Sequence, residues 1–281
     1  MDLKKTAVVR KGRAFIKQAQ KRILPPSGNL ANPLLVNSFP KSGTHLLYQV
    51  VGGIPKLRDY ETFLASTPSV TMRERTPAAT LSKIASWVNG EIVRGHVFYS
   101  PEVEAAMHEK KVIQLFIYRD PRDVVCSEAH YITAMNRWHR LHNTFKALPD
   151  KKSRIRFAIE GDLKDIAPVP YYDIGKRFEC YKGWIKNPNT LTIRFEDLIG
   201  EQRKNVISGI ITFLKPHFCS LPDTILTDCV AKIQPGKSHT FRHGGGVSAW
   251  KRNFAPEHIK LFKLYAGELL IELGYEKDLN W

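Results

Sequence analysis

Residues 34–44 read Leu-Leu-Val-Asn-Ser-Phe-Pro-Lys-Ser-Gly-Thr, and this stretch decides the fold class. Residues 34–39 are short and mostly apolar, which is typical of a buried strand. The Pro-Lys-Ser-Gly that follows is made of turn-forming residues. Residues 44–51 then place leucine and valine at helical spacing. We therefore predict a strand, a tight turn and a helix whose N-terminal N–H groups and dipole favour an anion.

The same alternation of strand and helix continues along the chain. Apolar segments predict further strands at residues 91–96, 112–118 and 190–195. Helices are predicted after Ser100 and Asp120, and at residues 206–214 and 256–273. Residues 56–85 show no strong periodicity. The pattern predicts an α/β protein with a single domain, in which helices flank a central parallel sheet.

Two segments stand apart from this domain, which we place at residues 29–281. Residues 1–28 form a basic N-terminal helical segment, since the first 24 residues hold eight basic and one acidic side chain. This segment either packs on the domain as an ordinary helix or lies on an anionic membrane surface. Residues 131–170 are rich in His, Arg and Trp and lack a clear period, so we interpret them as a loop-and-helix insertion over one face.

Composition and charge limit the classes of protein to which the chain can belong. It has 281 residues, 43% of them hydrophobic, and a formal net charge of +16. These values fit a folded globular protein that attracts phosphates, sulfates, acidic glycans or anionic membranes. The four cysteines lack metal-binding spacing, and no apolar run is long enough to span a membrane. We therefore expect a cytoplasmic protein with reduced thiols and no bound metal.

Three polar residues follow three different predicted strands, and we expect them to meet. Lys41, His96 and Arg119 stand at the carboxyl ends of their strands, where ligands of parallel sheets bind. Lys41 precedes the glycine of its turn, so the turn does not have the GxxxxGK[ST] order of the common nucleotide P-loop. Ser127 follows Arg119 by eight residues, which places it two turns into the helix that is predicted after Asp120.

These motifs resemble those of the sulfotransferases that use 3′-phosphoadenosine 5′-phosphosulfate (PAPS). Residues 39–44 are similar to the 5′-phosphosulfate loop of that family, and residues 118–127 are similar to its 3′-phosphate motif. The resemblance implies a P-loop NTPase-like sulfotransferase fold and PAPS as co-substrate, with adenosine 3′,5′-bisphosphate (PAP) as product. It further implies roles in nucleotide binding for a set of residues at these two motifs: Lys41, Ser42, Gly43, Thr44, His45, Arg119 and Ser127.

Members of the family carry their catalytic histidine at a similar strand end, which implies that His96 is the general base. Histidine suits this task because its pKa lies near working pH and its neutral form accepts a proton. Lys41 would meet the charge that grows on the departing phosphate. We therefore expect sulfuryl transfer by in-line displacement to a hydroxyl or an amine.

Two later segments extend the resemblance with departures from the family pattern. Phe195 stands where members often have a tyrosine near the adenine, and an ordinary core aromatic is an equal alternative. Residues 241–251 resemble the family segment that closes over the 3′-phosphate, which implies contacts from Arg242, His243 and Gly244. Whether Arg242 or His243 reaches the phosphate stays open, because one extra residue precedes Trp250. Leu46 replaces the tryptophan that many members stack on adenine.

The acceptor is open among small molecules or natural products, glycans and lipids. A group of aromatic and basic residues in the insertion has two interpretations. They either form an acceptor pocket or its lid, or their aromatic side chains are core anchors and their basic side chains a solvated face: Trp138, His139, Arg140, His142 and Phe145. Two rival classes are a P-loop nucleoside or nucleotide kinase and a basic module that binds nucleic acid or a membrane surface. The chain shows no GK[ST] order and no nucleic-acid-binding motif, so we expect no nucleic acid partner.

Overall fold

The computed structural model describes residues 19, 21, 30–234 and 246–281. Five parallel strands lie in the order β2-β3-β1-β4-β5. They are β1 Leu34–Ser38, β2 Phe63–Ala65, β3 Ile92–His96, β4 Ile113–Tyr118 and β5 Thr190–Arg194. The central strands β1 and β4 are buried along their whole length, as parallel strands covered on both faces must be. The predicted parallel α/β architecture is confirmed.

Helices cover both faces of the sheet. The α-helices in chain order are α1 Thr44–Val51, α2 Pro77–Ala85, α3 Pro101–Glu109, α4 Pro121–His130, α5 His142–Ala147, α6 Lys151–Glu160, α7 Ile174–Lys182, α8 Phe195–Ile199, α9 Arg203–Leu214, α10 Ile225–Ala231, α11 Trp250–Asn253 and α12 Pro256–Glu272. One apolar cluster packs α1, α9 and α10 on one sheet face, and a second packs α3, α4, α6, α7 and α12 on the other.

The register of the strands places the loops of interest at one edge of the sheet. Asn37 of β1 pairs with Gly95 of β3, and Ala65 of β2 pairs with His96. On the other side of β1, Ser38 pairs with Ile117 of β4. The segments that follow β1, β2, β3 and β4 therefore emerge side by side, as the parallel arrangement requires.

The structure refines the sequence prediction in three places. Residues 56–85 hold the short edge strand β2 and the helix α2, along which only Thr80 and Ile84 are buried. Strand β5 ends at Arg194, and Phe195 begins α8 instead of ending the strand. Residues 131–170 contain a π-helical turn at Tyr131–Met135 as well as α5 and α6.

Other predictions fall wholly or mostly outside the described residues. The basic N-terminal helical segment, residues 1–28, is described only at Ala19 and Lys21, and Lys21 forms a salt bridge of 2.7 Å with the buried Glu91.

Cys126, Cys180 and Cys229 are free thiols. Within the described ranges, no helix combines the length and the apolar character needed to cross a membrane.

Candidate active site

A cavity of about 1740 Å³ opens at the carboxyl edge of the sheet. Its walls come from the loops after β1, β2 and β4, from the strand end of β3, and from α1, α4 and α8. Most of the residues that the sequence predicts for the site line this one cavity: Lys41, Gly43, Thr44, His45, His96, Arg119, Ser127 and Phe195. Arg242, His243 and Gly244 lie outside the described residues.

The loop between β1 and α1 has a backbone that brings its amides close to the cavity. Lys41 and Gly43 both adopt positive φ angles, of 67° and 100°. Gly43 is the N-cap of α1 and has no side chain that could accept hydrogen bonds from the helix. The first amides of the helix therefore stay available to an anion. The Lys41 ammonium lies 3.7 Å from the centroid of the Tyr131 ring. Burial lowers the pKa of Lys41 to about 8.

Gly43 also allows close packing that no other residue would permit. A Cβ atom at this position would lie 2.5 Å from Cδ2 of Phe195. The Phe195 ring in turn lies below the Arg119 guanidinium, 4.6 Å from ring centroid to carbon. The glycine therefore joins the loop after β1 to Arg119 through one aromatic ring.

Replacing Gly43 with alanine is expected to destabilise the chain by about 1–3 kcal/mol, because the new methyl group overpacks Phe195 and the backbone is strained at positive φ. Urea unfolding monitored by circular dichroism measures this change. The matched control is Gly209→Ala in α9, where nothing lies within 4 Å of the added Cβ. A glycine-to-alanine change inside a helix is expected to stabilise by roughly 0.5–1 kcal/mol. Equal stabilities of the two variants would contradict the packing role of Gly43.

His96 is held in one orientation by the end of β1. Its Nδ1 lies 3.0 Å from the carbonyl oxygen of Ser38 and 3.0 Å from the Ser38 hydroxyl. A carbonyl oxygen only accepts, so Nδ1 carries the proton and donates it. Nε2 of His96 is therefore left with a lone pair that can accept a proton. The Ser38 hydroxyl continues the network to the Thr44 hydroxyl at 2.6 Å.

The environment also keeps the imidazole neutral. Burial lowers the pKa of His96 to about 4, and the nearby His45 and Lys41 act in the same direction, against the opposing hydrogen bond to Ser38. Asn37 locks the two strand ends together, because its side-chain amide donates to the Val97 carbonyl at 3.2 Å and accepts from the Val97 amide at 2.9 Å. The site thus holds a fixed, uncharged base at neutral pH.

Arg119 lines the cavity beside the Phe195 ring. Its guanidinium donates to a carboxylate oxygen of Asp123 at 3.2 Å and to the carbonyl oxygen of Gly246 at 3.4 Å. The second carboxylate oxygen of Asp123 accepts a hydrogen bond from the backbone amide of Trp250 at 2.8 Å. Burial raises the pKa of Asp123, and the charge of Arg119 opposes this shift. These contacts hold Gly246 and the start of α11 beside the arginine.

The remaining predicted nucleotide residues occupy different positions. Ser127 is partly buried in α4 and lines the cavity, as expected for a partner of Arg119. His45 is exposed at its rim. Ser42 does not line the cavity, because its side chain is fully buried, and its hydroxyl has no hydrogen-bond partner among the described residues. The backbone amide of Ser42 donates to the carbonyl oxygen of Phe39 at 3.2 Å, which closes the turn.

Most of the candidate acceptor residues of the insertion do not line the cavity. His139 lines the cavity, whereas Phe145 is fully buried against Phe157 and Tyr171 in the core. Trp138 is 63% exposed, and Arg140 and His142 do not line the cavity. The cavity is also lined by apolar and aromatic residues from several segments: Phe63, Val70, Met72, Phe98, Tyr131, Met135, Val169 and Tyr172.

Sequence reasoning also missed Ser38 and Tyr131, which contact the two candidate catalytic residues. The signal for Ser38 was its place at the end of β1, beside the strand that carries His96. Tyr131 follows α4 at the start of the π-helical turn and gave no signal. Among the described side chains, no group of His, Cys, Asp or Glu could hold a metal ion.

Comparison with known proteins places the whole cavity within one matched region. Residues 31–274 match the family model described as the sulfotransferase domain. No curated protein sequence matches the chain. Among solved structures, mouse sulfotransferase SULT7A1 complexed with PAP is similar, with 17% sequence identity and a TM-score of 0.58 over 86% of this chain and 88% of that chain.

Two structures of retinol dehydratase are similar as well, and each alignment covers 92% of this chain and 85% of that chain. The complex with retinol and PAP shows 16% identity and a TM-score of 0.52. The complex with androsterone and inactive cofactor PAP shows 14% identity and a TM-score of 0.51. At these identities the likeness establishes the fold.

Proposed function

The chain belongs to the sulfotransferase domain family, and on that premise we propose that it transfers a sulfuryl group from PAPS to a hydroxyl or an amine of a small-molecule acceptor. The observation that carries this proposal is the pairing of a fixed, neutral His96 with the lysine loop on one cavity. Nδ1 of His96 donates to Ser38, so Nε2 is the atom that accepts a proton from the acceptor.

The residues present fit an anionic nucleotide. Lys41, the Thr44 hydroxyl and the first amides of α1 form a cradle on one side, which Gly43 keeps free of a Cβ atom. Arg119 and Ser127 line the same cavity, where a second phosphate group would lie. When bound, PAPS supplies the activated sulfuryl group. The Phe195 ring is buried beneath the Arg119 guanidinium, so it supports the arginine as a core aromatic does.

His96 and Lys41 then divide the chemistry. Nε2 of His96 accepts the proton of the acceptor as the acceptor oxygen or nitrogen bonds to sulfur. The bond between sulfur and the bridging phosphate oxygen breaks, and the electron pair stays on that oxygen. The Lys41 ammonium is placed to meet the charge that develops there, and it starts from a position over the Tyr131 ring.

The shape and lining of the cavity favour a small acceptor with an apolar body. Aromatic and aliphatic residues contribute to the cavity wall, and the Phe63 ring makes an edge contact with the imidazole of His96 at 5.3 Å between centroids. Retinol and androsterone, the ligands of retinol dehydratase, are apolar alcohols of this kind. We place glycans behind such acceptors, because an apolar ring lies against the imidazole of His96.

The proposal is tested by calorimetric titration of PAP and of adenosine 5′-phosphate. The chain is expected to bind PAP more tightly, because Arg119 and Ser127 provide donors for the 3′-phosphate. Replacing Arg119 with methionine is expected to weaken PAP binding about 10–100-fold and to abolish the preference over adenosine 5′-phosphate. No preference in the wild-type chain would reject the nucleotide assignment and favour a kinase.

Two further variants separate binding from folding in this test. Arg119→Lys keeps a positive charge beside the buried Asp123 and removes the fork, so its PAP affinity is expected to lie between those of wild type and Arg119→Met. Arg156→Met removes an exposed arginine of α6 that does not line the cavity. That control is expected to bind PAP as the wild-type chain does.

The protonation states of the two catalytic groups predict the pH profile of kcat/KM. Activity requires neutral His96 and charged Lys41. It should therefore fall as pH drops through the His96 pKa of about 4, and fall again as pH rises through the Lys41 pKa of about 8. Initial rates at subsaturating substrate measure this profile. In Lys41→Arg the alkaline limb should vanish, since arginine stays charged; an unchanged alkaline limb would assign it to another group.

A further inference from the structure

Exposed apolar side chains are concentrated around the opening of the cavity. Among the residues that the structure describes, nine large apolar side chains are exposed. Six of them lie in three segments that border the cavity, residues 63–76, 136–140 and 161–173, which we call the mouth segments. The six are exposed by 50–65%: Phe63, Val70, Trp138, Leu163, Ile166 and Tyr172. Single exposed apolar residues are normal, but a group around one opening indicates an interaction site.

Hydrogen bonds and shared walls keep the mouth segments together. Phe63, Val70 and Tyr172 line the same cavity. The backbone amide of Arg140 donates to the carbonyl oxygen of Ser69 at 2.8 Å, which ties the segment of Trp138 to that of Val70. The third segment closes on itself, because the amide of Asp162 donates to the carbonyl oxygen of Tyr171 at 2.7 Å. Leu163 and Ile166 lie in the turn between those two residues.

Basic side chains are interleaved with these apolar ones. Four exposed basic residues belong to the mouth segments, namely Arg73, Arg137, Arg140 and Lys164, against two exposed acidic residues, Glu74 and Asp165. The Arg137 guanidinium lies 5.3 Å from the centroid of the Trp138 ring. An exposed tryptophan beside arginine, with aliphatic neighbours, is the combination that binds the interface of an anionic bilayer. The net charge of +16 adds long-range attraction to such a surface.

We propose that the mouth segments dock on an anionic lipid bilayer and that the cavity takes its acceptor from that bilayer. The acceptor would be a membrane-borne amphiphile whose hydroxyl or amine enters first. Phe63 links the two halves of this proposal, because its ring is half exposed at the mouth and contacts the ring of His96. The identity of the acceptor rests on the proposed sulfotransferase function, whereas the docking itself does not.

Sedimentation of the full chain with lipid vesicles tests the docking. The chain is expected to bind vesicles of phosphatidylcholine and phosphatidylserine, and to bind more weakly to phosphatidylcholine alone. The double variant Trp138→Ser, Leu163→Ser should lower the vesicle partition coefficient by at least about tenfold, because both side chains lose their apolar burial in the interface. Leu264→Ser is the matched control, since Leu264 is 73% exposed on α12, outside the mouth segments. It should bind as the wild-type chain does.

Three outcomes would overturn the docking proposal. The first is that the wild-type chain binds neither vesicle. The second is that the double variant and the wild-type chain bind equally, which would place the contact elsewhere on the chain. The third is dissociation of a dimer by the double variant with unchanged vesicle binding, which would show that a second copy covers the mouth. Calorimetric titration with PAP is run on every variant. Unchanged PAP affinity shows that the fold and the proposed nucleotide site are intact, so loss of vesicle binding then concerns the mouth alone.

Discussion

The His96→Ala variant is expected to lose about 10²–10⁴-fold in kcat, the usual contribution of a positioned general base. The loss should be accompanied by little change in PAP affinity, because His96 faces the acceptor side of the cavity and the phosphate donors remain in place. Steady-state rates at saturating PAPS and acceptor measure kcat, and calorimetric titration measures PAP binding.

The size of this effect follows from the way in which the base is held. The Ser38 carbonyl oxygen sets the tautomer, and Asn37 holds the end of β1 to Val97 just beyond the histidine. Nε2 therefore needs no rearrangement before it accepts a proton, and burial keeps it free of a competing proton at neutral pH. A solvent molecule in the space left by alanine would be neither oriented nor of matched basicity.

The matched control is His108→Ala, which removes an exposed histidine of α3 that does not line the cavity. Its kcat should equal that of the wild-type chain. If His96→Ala turned over normally, the general base would have to be sought elsewhere along the cavity wall. If His96→Ala lost PAP affinity to the same extent as kcat, the histidine would be a binding residue.

The second large effect is expected for Lys41→Met, which should lower kcat by about 10²–10³-fold. Methionine fills a similar volume, so the change removes the charge and leaves the loop packed. The charge opposes the negative charge that develops on the departing oxygen, and the partly buried Lys41 is screened less by water than an exposed lysine would be. Affinity for PAP should fall less than kcat, since the amides of α1 and the proposed donors Arg119 and Ser127 remain.

Comparison of kcat with the PAP dissociation constant distinguishes the two roles of Lys41. Equal losses in both would indicate that Lys41 binds the ground state and the transition state alike. Lys83→Met provides the control, because Lys83 is an exposed lysine of α2 away from the cavity. A Lys41→Met variant as active as this control would remove Lys41 from the mechanism.

Much of the framework could be predicted from the chain because it rests on local signals. Helix α1 spans the predicted residues 44–51, and β1, β3 and β4 lie within one or two residues of the predicted strands. Strand β2 escaped prediction because three residues at a sheet edge carry too little periodicity. Helix α2 was missed because only Thr80 and Ile84 along it are buried, so its apolar stripe is narrow.

The site was predictable where a strand end alone decides the position of a residue. Lys41, His96 and Arg119 follow three parallel strands, and the sheet brings them to one cavity. The acceptor wall was not predictable in the same way. Phe145 was one candidate for the acceptor wall and is buried in the core. Phe63 and Tyr131 line the cavity and lie in segments that are distant from each other along the chain.

The amino-acid sequence by itself determined the strand–turn–helix units, the lysine-containing loop after β1 and the order of the candidate site residues, since each depends on neighbours within a few positions. Only the tertiary structure decided the tautomer of His96, the packing of the Phe195 ring between Arg119 and Gly43, and the exposed apolar side chains of the mouth segments. The physical reason is that these contacts depend on the register of parallel strands and on packing between segments remote in the chain. Such contacts are specified by the whole core, and no local pattern encodes them.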